Sequence, residues 1–149
     1  IYTDYNFFDT MLRTKKYRMQ ERNKHKRTIQ ILRAIGLEHR LDDYAGNLPY
    51  GECRKLEIAR AIATNAKLLL LDEPAAGMNR KESEDLLEFI KMLNDKGYTI
   101  LLIEHDMNVV MGVCDRIIVL NYGAKIAEGS PEEIQGNQEV IEAYLGRED

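Results

Sequence analysis

Leu68-Leu69-Leu70-Leu71-Asp72-Glu73-Pro74 is the stretch that decides how this chain is read. Four consecutive leucines closed by a turn signal predict a short, fully buried strand of a parallel sheet. Such sheets bind their ligands just beyond the carboxyl ends of the strands, which is where Asp72 and Glu73 emerge. Pro74 then withholds a backbone N–H and stops further pairing. Two carboxylates at that edge have no packing role. They suit a Mg²⁺ ion and an activated water, the needs of phosphoryl transfer. They also fit a strand that simply ends in solvated acids, so the flanking sequence has to separate the two readings.

Downstream, Asn79 followed by Glu82 reads as a capping box opening a helix to about residue 96. Leu86, Leu87, Ile90 and Leu93 form its expected buried face, and Gly97 ends it. Residues 98–103 are a second apolar strand. The unit 68–103 thus has the length of a right-handed strand–helix–strand crossover. A short helix is expected over 107–113, then a hairpin of 117–120 and 124–127 about Tyr122-Gly123. Ser130-Pro131-Glu132-Glu133 combines an N-cap, a proline in the first turn and a capping glutamate. A last helix is expected near 138–145.

Upstream, residues 16–35 are periodic for a helix with Thr28, Ile29, Leu32 and Ile35 on one buried stripe. Gly36 and Leu37 suit a Schellman ending. A turn-rich stretch over 42–51 runs into a helix over 52–64, with Leu56, Ala59, Arg60 and Ala63 at helical spacing. Residues 1–14 carry no clear period.

With 149 residues, 44% apolar and 31% charged, the chain has the composition of an ordinary globular α/β domain. No apolar run approaches the roughly 20 residues that span a bilayer, and no secretory h-region is read in the opening residues. Cys53 and Cys114 are too few and too scattered for a disulfide framework, which favours a reducing compartment. The net charge of −4 hides an asymmetry, since residues 13–40 hold ten of the 21 basic residues but only two of the 25 acids. A nucleic-acid-binding arm would interleave aromatics with those charges, and only Tyr17 does so. A solvated basic helix face explains the charges as well. Ile1 is not an initiator methionine, so a fragment or processed product is expected.

Four features stand in a fixed order: Leu48-Pro49-Tyr50-Gly51-Glu52 opening a helix, the acidic strand end, the loop Ala75-Ala76-Gly77-Met78-Asn79, and His105 after the second strand. This series resembles the ATP-binding-cassette (ABC) ATPases. Residues 48–61 look like the signature motif and its helix, 68–73 like the Walker B strand, 75–79 like the D-loop, and His105 like the switch histidine. The wording of 72–79, of Ile103-Glu104-His105-Asp106-Met107 and of Ala143-Tyr144-Leu145-Gly146 is similar to ATPase subunits of branched-chain amino-acid uptake transporters. The resemblance covers residues 33–146 closely and the first thirty loosely.

The resemblance implies a partial P-loop NTPase fold: a parallel-sheet core, a helical signature subdomain over 1–66, and core with C-terminal hairpin and helices over 67–149. It implies ATP and Mg²⁺ as cofactors. Asp72 would hold Mg²⁺ through water, Glu73 would act as general base, and His105 would contact the γ-phosphate. Leu48, Pro49, Tyr50, Gly51 and Glu52 would meet ATP held by a second ATPase subunit, with Gly77 and Asn79 in the D-loop. Gly77 and Asn79 also read as a turn residue and a helix cap. Transmembrane permease subunits would be partners, no nucleic acid is expected, and the location would be peripheral on the cytoplasmic face of the membrane.

Two departures qualify this. No G-x-x-x-x-G-K-[ST] occurs, so nothing here cradles the α- and β-phosphates. The chain therefore reads as the C-terminal portion of a longer ATPase. The family's missing strand would lie beside residues 99–103, leaving a hydrophobic edge exposed. Second, Pro49 stands where the signature usually offers a serine hydroxyl. Two other classes compete: a soluble ABC-type ATPase acting on nucleic acid or ribosomes, and a non-catalytic truncated module docking through its signature helix.

Overall fold

The computed structural model describes residues 6–145. It falls into two compact units, one ending at Leu102 and the other starting at Ile103. The 66/67 boundary expected from sequence lies inside the first unit.

The first unit runs α1 (Phe7–Met11), α2 (Lys15–Ala34), α3 (Tyr50–Ala63), β1 (Leu68–Asp72), α4 (Arg80–Asp95) and β2 (Thr99–Ile103), whose last residue begins the second unit. Helices α2 and α4 end alike. The Leu37 N–H reaches the Leu32 carbonyl at 2.8 Å, and the Tyr98 N–H reaches that of Leu93 at 3.2 Å. Both are Schellman closures through a left-handed glycine, Gly36 at φ +77 and Gly97 at φ +86. The second closure turns the chain back so that the Thr99 N–H bonds the Lys67 carbonyl at 2.9 Å, where the parallel pairing of β1 with β2 begins.

The core of this unit is helical on one side of that sheet. Helix α3 packs on α2, α4 and β1, and Ile58, Ala59, Leu69, Leu86, Phe89, Ile90 and Leu93 are buried. Phe89, absent from the expected stripe, replaces Leu87, which is half-buried. Helix α2 has no fully buried residue, against the buried stripe expected for it. Thr28 is exposed, and burial comes only at the turn, at Ile35 and Leu37.

The leucine strand also departs from expectation. It is not fully buried: Leu69 is 2% exposed, but Leu68 and Leu70 are 52% and 68% exposed. On β2, Leu101 and Ile103 are exposed likewise. Strand side chains alternate between faces, and the described residues bury only one of them. The outward-facing leucines of β1 and β2 form an exposed apolar face.

The second unit holds α5 (Met107–Val113), β3 (Ile117–Asn121), β4 (Ala124–Gly129), α6 (Pro131–Gln135), α7 (Gln138–Val140) and a π-helical turn over Ile141–Leu145. The β3–β4 pair is antiparallel, Asn121 facing Ala124. Tyr122 and Gly123 both take positive φ, as a two-residue hairpin compatible with strand twist requires. Ser130 and Glu133 form the expected capping box. Ile117, Val119, Ala127, Ile134 and Val140 make the core. The Tyr144 hydroxyl donates to the Leu120 carbonyl at 2.6 Å. The 143–146 ending extends at Gly146 beyond the described residues.

Exposure on the sheet gives a direct test. Leu86→Ala, at a fully buried site, should cost about 2–5 kcal/mol of unfolding free energy. Leu70→Ala should stay within roughly 0.5 kcal/mol. Denaturant midpoints of the two variants measure the difference, and equal losses would contradict the exposed face.

Candidate functional site

Helix α3 begins two residues earlier than its sequence period suggests. Pro49 is its N-cap at φ −53, ψ 150, and the Pro49 carbonyl accepts the Cys53 N–H at 3.0 Å. That first bond draws Tyr50, Gly51 and Glu52 into the opening turn. A helix leaves its first N–H groups without intrahelical acceptors, and proline has no side-chain acceptor to cap them; none does so here. This end therefore carries a cluster of amide donors and the positive end of the helix dipole, a ready anion site. The Glu52 carboxylate does not stand free beside it. Arg40 Nε donates to it at 2.9 Å, with His39 Nε2 at 3.8 Å. Cys53 Sγ lies 3.5 Å from the Ala45 and Leu48 carbonyls, tying the preceding turn to the helix.

Two contacts that sequence reading missed fasten this helix start to the loop after β1. The Tyr50 hydroxyl donates to the Ala76 carbonyl at 3.0 Å. Arg54, one turn on, donates to the Tyr50 hydroxyl at 2.7 Å and sits 5.0 Å over the Tyr50 ring. Arg54 also pairs with Glu57 at 2.8 Å, and these bonds, Glu57 first, push its pKa up. The only sequence signal was an i, i+4 tyrosine–arginine pair. Beside it, a Cβ on Gly51 would meet Glu82 Cβ and Cγ at 3.7 Å, an ordinary contact. Among the described residues nothing therefore requires glycine at position 51.

The acidic strand end lies across this junction. Asp72 is the last residue of β1 and is exposed, as is Glu73. Glu73 has φ +42, the left-handed region that a residue with a Cβ enters at a cost of roughly 1–2 kcal/mol. Its carbonyl accepts the Ala76 N–H at 3.1 Å, and that of Ala75 accepts the Met78 N–H at 3.2 Å. These turns carry the chain over buried Pro74 to Gly77, whose φ of +76 suits glycine. The Asn79 side chain accepts from the Glu82 N–H at 3.0 Å while Glu82 returns to the Asn79 N–H, so the capping role read from sequence is realised.

The first unit thus brings together Pro49, Tyr50 and Gly51 with the loop through Gly77 and the start of α4. His105 belongs to the second unit. It is the second residue after β2, and Asp106 next to it caps α5 through the Asn108 N–H at 2.8 Å. Among the described residues no group of three or more His, Cys, Asp or Glu could hold a metal. Mg²⁺ is held by one or two carboxylates with water and phosphate oxygens rather than by an all-protein cage. Asp72, an exposed carboxylate at a strand end, fits that donor set.

A helix start whose first amides no side chain caps is docked on the loop that follows an acidic strand end, and the chain belongs to the ATP-binding-cassette family. A family model described as "ABC transporter" matches residues 3–76, and one described as "Branched-chain amino acid ATP-binding cassette transporter" matches 124–149. The chain is 49% identical over 140 residues to the high-affinity branched-chain amino acid transport ATP-binding protein LivG of Salmonella typhimurium, covering 93% of this chain and 55% of that protein. To BraF of Pseudomonas aeruginosa, of the same description, it is 44% identical, covering 95% and 56%. Among solved structures, the ADP conformation of MJ1267, an ATP-binding cassette of an ABC transporter, superposes with TM-score 0.77 at 32% identity, covering 84% and 51%. The chain spans about half the length of the curated relatives it matches.

The backbone at Glu73 can be separated from its carboxylate by two substitutions. Glu73→Gly should be more stable than Glu73→Ala by about 1 kcal/mol, because both remove the side chain but only glycine relieves the left-handed backbone. In the same unfolding assay Tyr50→Phe should cost about 0.5–1.5 kcal/mol. An alanine variant as stable as the glycine one would contradict the strain.

Proposed function

We propose that the chain is the C-terminal portion of an ABC transporter ATPase subunit that couples ATP binding and hydrolysis to uptake of branched-chain amino acids. The observation that carries this reading is the uncapped start of α3, fastened by the Tyr50–Ala76 bond to the loop after Asp72 and Glu73. The amides of Gly51 and Glu52 would meet the γ-phosphate of ATP bound by a second ATPase subunit. A glycine that internal packing does not require at position 51 supports close approach of a group from outside. Leu48 and Pro49 shape the approach to that helix end, and Gly77 and Asn79 set the D-loop beside it.

For ATP in its own site, Glu73 would accept a proton from the attacking water, a contribution of typically 10²–10⁴-fold for a placed general base. His105 would donate a hydrogen bond to a γ-phosphate oxygen. Asp72 would hold Mg²⁺ through water, and the ion when bound supplies charge neutralisation to the phosphates. The names of LivG and BraF support branched-chain amino acids as the transported solute. Permease subunits in the membrane would be the partners, with this subunit peripheral on the cytoplasmic face. No helix among the described residues is long and apolar enough to cross a membrane.

Because these 149 residues contain no phosphate-cradling loop, the pure chain should neither bind ATP tightly nor hydrolyse it. Joined in frame to the preceding half of the Salmonella typhimurium LivG protein, it should hydrolyse MgATP. Glu73→Gln in that chimera should lower turnover by about 10²-fold or more. Pro49→Ser should raise it, since a charge-assisted hydrogen bond contributes about 1.5–3 kcal/mol. Hydrolysis by the unjoined chain that Glu73→Gln abolishes, or a chimera indifferent to Glu73, would overturn the reading.

A further inference from the structure

Helix α2 carries a second surface that the nucleotide chemistry does not use. Lys15, Arg18, Met19, Arg22 and Lys26 are all exposed, and at 3.6 residues per turn they fall within one arc of roughly 100°. The opposite side carries half-buried Tyr17, Gln20, Lys24, Arg27 and Ile31, the side that packs. Glu21 is the helix's one acid, and it is taken by Lys24 at 2.7 Å. The outward stripe therefore holds four cations, one methionine and no carboxylate.

An exposed apolar group precedes this stripe in sequence, on the short helix α1. Phe7, Phe8, Met11 and Leu12 are each about 70% exposed or more, and the two phenylalanine rings meet edge-on at 6.0 Å. The turn between α1 and α2 holds them in place. Thr14 Oγ1 donates to Asp9 Oδ1 at 2.8 Å and accepts the Tyr17 N–H at 3.3 Å, while the Thr14 N–H bonds the Asp9 carbonyl at 3.2 Å. Asp9 is thereby spent on the turn, and α1 rests against α2.

We infer that this surface is a contact for the anionic leaflet of a membrane, with the α2 cations on lipid headgroups and the α1 side chains entering the acyl boundary. Exposed aromatics beside a one-sided basic helix match an anionic lipid interface. Duplex nucleic acid gives the four exposed apolar side chains nothing to bury against, since the phosphate contacts that dominate such binding are ionic. The inference goes beyond the transporter reading and needs neither ATP nor a permease, so each fails separately.

The test uses the 149-residue chain with sedimented vesicles of phosphatidylcholine alone, or of phosphatidylcholine and phosphatidylserine in equal parts. Partitioning should favour the anionic vesicles by at least about tenfold at low salt and fall steeply at high salt. Arg18→Glu with Arg22→Glu should abolish the preference, and Arg18→Lys with Arg22→Lys should keep it. Phe7→Ser with Phe8→Ser should weaken anionic binding by about fivefold or more while leaving its salt dependence. Equal uptake by neutral vesicles, a preference that survives charge reversal, or tighter binding to duplex RNA than to anionic vesicles would overturn it.

Discussion

A hydrogen bond from the Tyr50 hydroxyl to the Ala76 carbonyl, seconded by Arg54 on the tyrosine oxygen, joins the amide-rich start of α3 to the loop that follows Asp72 and Glu73. Its importance lies in what it connects. An uncapped helix end is a diffuse electrostatic feature, effective only over the first turn. The bond holds that end in register with the loop after Asp72 and Glu73. Tyr50 does this from inside the motif, since it is itself the first residue of the helix. The nearby ion pair of Arg40 with Glu52 steadies the turn that feeds the helix from the other side. The rest of the first unit, from the α3 core to the capping box of α4, supports this junction.

Much of this was legible in the sequence, because the signals were local and periodic. The two Schellman closures, the capping boxes at Asn79 and Ser130 and the Tyr122-Gly123 hairpin all lie where short-range chemistry places them. Burial was less legible. Four leucines in a row look the same whether one face or two will be covered, and only the layers around a strand decide that. Phe89 joined the core where Leu87 did not, a choice set by helix rotation against α3. The Tyr50–Ala76 bond spans 26 positions, and no local pattern encodes it. The role of Pro49 reads differently in three dimensions. It removes a hydroxyl, but its carbonyl starts the helix and draws Gly51 into the first turn.

The first unit therefore carries three surfaces of different chemistry. One is the amide-lined end of α3. Another is the apolar face of Leu68, Leu70 and Leu101, and the third is the cationic outer side of α2. The last two are formed by side chains that secondary structure segregates, at period two on the strands and 3.6 on the helix.

Glu73 shows how little backbone such a site needs. In a regular strand adjacent residues are sent to opposite faces, so neighbouring acids would be divided by the sheet. The left-handed φ of Glu73 comes immediately after the last strand residue, Asp72. That single torsion removes Glu73 from the pleat. Two carboxylates consecutive in sequence are thereby released from a geometric rule that would have kept them apart, and one edge of the sheet can employ both.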